Sequence, residues 1–222
     1  MLSTNKHQRI DLSNGASATL PLVLLAVFAV VVAISAINPT TREDWLLENA
    51  LVTLAVPLLF WGWTRVRLSN AAYVLLFVFG VLHEIGAHYH YSNVPYEQWF
   101  GAISGGASIN DLFGFERNHF DRAVHFLYGV LVTPAVVEII CVQVVLRGAW
   151  RFLLPAGFLM THGMIYEIIE MIAAMIVGGE LGEAYLGTQG DVWDAQKDMT
   201  LAAIGVILIL PYWLHRLRKA GH

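Results

Sequence analysis

The sequence predicts an all-α protein, a polytopic transmembrane helix bundle of about six spans with both termini in the cytoplasm. Three observations carry this expectation. Of 222 residues, 57% are hydrophobic and only 14% are charged, where a soluble domain of this size carries about 25% charged residues. Apolar runs of about 20 residues, enough to cross a bilayer at about 1.5 Å per residue, recur along the chain. The basic residues gather in the connections on one side, as the positive-inside rule requires. Mean hydropathy is +0.59.

Spans are expected at 17–37, 46–63, 71–91, 121–146, 149–177 and 198–214, so that residues 1–222 form a single integral-membrane domain. The first contains an uncharged run from Leu20 to Ile37 behind Lys6 and Arg9. That run is longer than a signal-peptide core, which favours a retained anchor. Arg65 and Arg67 mark the turn between spans two and three, and Arg147 and Arg151 the turn between four and five. Together with Lys6, Arg9, Arg216, Arg218 and Lys219 they place nine basic residues on one side. Arg42, Arg117, Arg122 and Lys197 make four on the other, and this imbalance orients the bundle. The longest outer connection, 92–120, carries Gly101, Gly105, Gly106 and Gly114 among Tyr96, Trp99, Phe100, Phe113 and Phe115. A connection this long implies an interfacial segment or a lid over a site.

Ionisable residues inside spans are expensive and mark function. Here they converge on the outer side. Span three ends in His83, Glu84, His88 and His90, with Glu84 and His88 at i, i+4 and His83 and His90 at i, i+7. Span four opens with Asp121 and His125, again i, i+4, just after His119 and one turn before Tyr128. Span five carries His162, Tyr166, Glu167 and Glu170 in its outer half. Span six opens with Asp191, Asp194 and Asp198 at i, i+3, i+7. Glu48, near the outer start of span two, joins them, whereas Glu138 lies toward the cytoplasmic end of span four and stands apart.

Histidine nitrogens with carboxylate oxygens suit a divalent transition metal, zinc first, with iron or manganese also served by this donor set. Such an ion would offset the repulsion between carboxylates gathered at low dielectric. The expected metal ligands are His83, His88, His90, Asp121, His125, Glu167, Asp194 and Asp198. Glu84 and Glu170 are the expected catalytic carboxylates. The acids Asp191 and Asp194 also suit a helix N-terminus, where they would cap. The single cysteine, Cys141, excludes an intrachain disulfide or a thiolate cluster. No basic stripe interleaved with aromatics suggests nucleic-acid binding.

The segments HEIGAHYHYSNVP (83–95), RNHFDRAVHFLYG (117–129), YEIIE (166–170) and GTQGDVWDAQKDM (187–199) resemble those of the YjdF-like family, a bacterial multi-pass group labelled as a domain of unknown function. The resemblance covers about residues 45 to 215, and its last motif is the most specific. It implies the bacterial inner (cytoplasmic) membrane and a bundle of this size, and it supplies no activity. The residues themselves favour a metal-dependent, hydrolase-like membrane enzyme, with the lipid bilayer as its medium and an amphiphilic or lipid substrate. The alternatives are a cation- or proton-coupled transporter or channel subunit, whose path would need polar steps in both halves, and a non-catalytic accessory membrane protein.

Overall fold

The computed structural model describes residues 19–220 except 64, 180, 181, 183–185 and 187. Lys6, Arg9, residues 17 and 18 at the start of the expected first span, and Gly187 of the last motif lie outside the described residues. Helices are the regular secondary structure of the described residues. The elements are α1 (Thr19–Ser35), α2 (Arg42–Trp63), α3 (Asn70–Tyr89), a 3-10 turn (Tyr91–Asn93), α4 (Tyr96–Ser104), α5 (Ile109–Phe113), α6 (Phe120–Gln143), α7 (Trp150–Val177) and α8 (Asp194–Ala220). Five of these, α2, α3, α6, α7 and α8, are long and apolar enough to cross a membrane, and α1 is a shorter apolar helix of 17 residues.

Helix ends depart from the hydropathy boundaries for local reasons. α2 starts at Arg42 instead of 46, because Glu43 and Asp44 in its first turn complement the helix dipole. α8 starts at Asp194 and runs on to Ala220, since Arg218 and Lys219 suit the last turn even though they end the apolar run. α3 begins on Ser69, whose hydroxyl accepts from the amide of Ala72, and stops at His90, which adopts a left-handed conformation (φ 61°). The expected loop 92–120 is a folded cap. α4 and α5 close on Gly105 and Gly114, and Glu97 of α4 accepts from the Ser108 hydroxyl (2.7 Å) and the Asn110 amide (3.0 Å) at the start of α5.

α6 is the central helix and packs on α3, α7 and α8; α8 also meets α7, while α1 and α2 lean on α3. The α6–α8 contact is made backbone to backbone. A Cβ added at Gly129 would collide with the Ala202 carbonyl and stand 2.7 Å from the Val206 amide; one at Gly205 would collide with the Phe126 carbonyl. Around this contact lie Tyr128, Val137, Leu159, Val206, Leu210 and Trp213. Much of α7 presents apolar side chains outward, Phe158, Ile165, Ile172, Met175 and Ile176 among them, as expected of a helix facing lipid.

The end of the bundle away from the cap has its own buried acid. Glu138, fully buried, accepts from the Ser69 amide and hydroxyl, both at 2.7 Å, and from the Trp213 indole at 3.2 Å. It ties α6 to the start of α3 and to α8.

Candidate functional site

The chain runs up α3, through the cap and down α6, so the last turns of α3 and the first turns of α6 share one end of the bundle. The first turn of α8 and the later half of α7 reach the same end. Asp121 and His125, one turn apart on α6, face Asp198 on α8, and donor atoms of all three lie within 4.8 Å of one another. His125 Nε2 stands 3.5 Å from Asp121 Oδ1 and 3.6 Å from Glu167 Oε1 of α7. Ligands of a tetrahedral zinc are about 3.4 Å apart, so these separations are of the size a shared ion requires. Asp198 Oδ1 and Glu167 Oε1 are buried and have no hydrogen-bond partner among the described residues. Buried carboxylate oxygens left in that condition are costly, and a cation would satisfy them. Glu170, one residue beyond Ile169 on α7, interacts electrostatically with Glu48, Asp121 and Glu167.

A layer of ion pairs covers this group toward the cap. Arg117 donates to Asp194 Oδ1 at 2.5 Å and to the Thr188 carbonyl. Arg122 donates to the same Asp194 oxygen at 3.0 Å and to Asp191, which also accepts from Lys197 at 2.5 Å. The Lys197 ammonium, with the Trp193 amide and the Arg122 guanidinium, holds the Asp191 carboxyl well below the usual carboxylate range. Burial, and then Arg122 and Arg117, push His119 toward its neutral form. Asp194, placed among the metal ligands by its spacing, has its Oδ1 committed to two guanidiniums.

The polar groups of α3 divide between two surroundings. Glu84 and His88 share the face that i, i+4 spacing assigns them, and that face turns to the end of α1. Glu84 accepts from the Ser35 hydroxyl, His88 Nδ1 lies 2.8 Å from the Ser35 carbonyl, and the Trp45 indole donates to Ser35 Oγ at 3.1 Å. His90 leaves the helix and meets Asp44 of α2 at 3.5 Å, where Thr41 also donates to Asp44. These contacts fasten α1 and α2 to α3. His83 turns inward. Its Nδ1 pairs with the Tyr91 hydroxyl at 2.6 Å, and Gly86 leaves the space that the Tyr91 ring fills. His83 Nε2 is buried, and the Glu48 backbone is its polar neighbour.

Two tyrosines join the α1–α3 groups to the α6–α8 groups. Tyr91 is half-buried, and desolvation around its hydroxyl, with Glu48, Asp121 and Glu170 acting on it, raises its pKa well above the ordinary value. Tyr166 of α7 donates to Glu48 at 3.3 Å and packs edge-on against the His125 ring. His162 stands apart, stacked on Tyr128 with its Nδ1 2.9 Å from the Tyr128 hydroxyl. Sequence spacing left Tyr91, Ser35 and Asp44 out of the site, and it did not pair Arg117 and Arg122 with Asp191 and Asp194. Two isolated arginines at the acid-rich end were the one available signal for that pairing.

A family model described as "Predicted membrane protein (DUF2238)" matches residues 20–219. The chain is 31% identical over 214 residues to "Inner membrane protein YjdF" of Escherichia coli (strain K12), covering 94% of this chain and 93% of that protein. No solved structure matches. The matched region contains all five long apolar helices and every residue of the polar end described above. The chain is a multi-pass inner-membrane protein that belongs to the DUF2238 family of predicted membrane proteins.

Proposed function

We propose that this protein is a metal-dependent membrane enzyme, hydrolase-like, acting on an amphiphile at the outer face of the inner membrane. The observation that carries the reading is the meeting of Asp121, His125 and Asp198 from two helices, with Glu167 beside them and two buried carboxylate oxygens that have no hydrogen-bond partner among the described residues. Asp121, His125, Asp198 and Glu167 would hold a divalent transition metal, zinc first, with iron or manganese as alternatives. A bound ion of this kind lowers the pKa of a water ligand and polarises an ester or amide carbonyl. Of the two expected catalytic carboxylates, Glu170 would serve as the general base, since it neighbours Asp121 and Glu167 while Glu84 is held by Ser35 on the α1 side. Tyr91, paired with His83 Nδ1, would turn its hydroxyl proton toward a developing oxyanion when His83 supplies the Nδ1 proton of that pair.

The test is elemental analysis of the full chain purified without chelator, alongside Asp198→Asn and His125→Ala. The expected result is one metal ion per chain in the wild type and a loss of metal in both variants. Metal-free wild-type protein that also gains no thermal stability from added Zn²⁺, Fe²⁺ or Mn²⁺ would overturn the reading. If such protein instead carried cations or protons across proteoliposomes, and Asp198→Asn stopped that flux, transport would replace it.

A further inference from the structure

The flank of the α6–α8 pair carries a cleft distinct from the buried carboxylates. Its volume is about 480 Å³, and it is lined by Arg122, Trp193, Gln196, Lys197, Thr200 and Leu201. Gln196, Lys197 and Thr200 stand on the exposed side of the first two turns of α8, while Asp194 and Asp198 on the same helix are buried. No carboxylate lines the cleft. The two charged side chains that line it, Arg122 and Lys197, are both cations, and the carboxylates they pair with lie outside the lining. Lys197 is half exposed and has ammonium protons to spare beyond its bond to Asp191.

The surroundings specify the rest of the ligand. Trp193 is 62% exposed beside the cleft, in the position of an interfacial anchor at the headgroup level. Deeper along α8, Leu201 continues into Ile204 and Leu208 at i+3 and i+7, both outward-facing. Cationic donors at the membrane surface, an aromatic at their edge and an apolar stripe running down the span match a phosphodiester headgroup with an acyl chain below it. A soluble anion would use only the upper part.

We propose that this cleft binds one phospholipid, its headgroup phosphate against Arg122, Lys197 and Gln196 and an acyl chain along Leu201, Ile204 and Leu208. The site uses none of the metal ligands, and it stands or falls separately from the metal reading. The experiment is native mass spectrometry of the full chain released from detergent, titrated with phosphatidylglycerol. Lys197→Gln and Thr200→Trp are compared with wild type, and inorganic phosphate is titrated in parallel. Both substituted side chains are exposed, so Thr200→Trp should melt with the wild type and Lys197→Gln should lose only what its pair with Asp191 contributes. The wild type should retain one phospholipid. Lys197→Gln should weaken retention about fivefold, the effect of one interfacial cation, and Thr200→Trp should abolish it by filling the cleft. Equal retention by all three proteins would overturn the proposal, as would inorganic phosphate binding as tightly as the phospholipid.

Discussion

Glu138 receives both the amide and the hydroxyl of Ser69, each at 2.7 Å, so one carboxylate in the middle of the chain completes the N-terminus of a helix that began 69 residues earlier. Ser69 in turn caps Ala72. Glu138→Ala leaves three donors without this partner, two on half-buried Ser69 and the buried Trp213 indole. The expected cost is about 2–3 kcal/mol or more, read as a lower melting temperature in detergent. Metal content should not change, because this acid lies at the opposite end of the bundle from Asp121 and Asp198.

Gly129→Leu should do more than lower stability. Any side chain there meets the α8 backbone at Ala202 and Val206, and backbone cannot step aside as a rotamer can. The overpacking cost is about 1–3 kcal/mol. Since Asp121 and His125 ride on α6 and Asp198 on α8, separating the helices should also reduce bound metal, in contrast to Glu138→Ala. Elemental analysis and thermal melts on the same preparations check both halves.

The histidines should separate into two classes. His125→Ala should lower metal affinity by at least about tenfold, whereas His88→Ala and His90→Ala should leave metal content intact and lower the melting temperature, because those rings fasten Ser35 and Asp44. Loss of metal in His88→Ala or His90→Ala with the fold retained would contradict the site assignment.

The Asp191 ion pairs predict acid sensitivity. Its folded carboxyl titrates below the ordinary value of 3.8, so the unfolded chain takes up the proton first. The stabilisation is present above that ordinary value and is lost as pH falls below it toward the folded value. Wild-type melting temperature should therefore drop more between pH 5 and pH 3 than that of Asp191→Asn. The difference should shrink in high salt, since Lys197 is half exposed and screened.

The helices and the convergence of acids at one end were legible because both depend on local patterns: long apolar runs, and i, i+4 spacing within a helix. Glu84 with His88, and Asp121 with His125, sit as spacing predicts. The same arithmetic fails where the helix stops. His90 was expected seven residues on from His83 and on its face, but its φ of 61° ends α3, and the ring swings to Asp44. Asp191 precedes the first turn of α8, so the i, i+3, i+7 register it shared with Asp194 and Asp198 does not exist. The arginine partners of Asp191 and Asp194 are about 70 residues away in sequence, and no local period reports such a distance. Glu138 stood outside the polar cluster in the sequence and does so in space as well, where it serves packing.

The glycine contact between α6 and α8 bears on which ion could be accepted. Where two helices touch through side chains, rotamers give the interface slack, and ligands carried on it can breathe to suit ions of different radius. Gly129 and Gly205 remove that slack about one turn from His125. The gap between His125 and Asp198 is thus set by two main chains in contact. A frame of that stiffness would discriminate by size, penalising an ion with the 2.3–2.6 Å bonds of calcium relative to one with bonds of about 2.0–2.2 Å, and it would do so before any donor atom expressed a chemical preference.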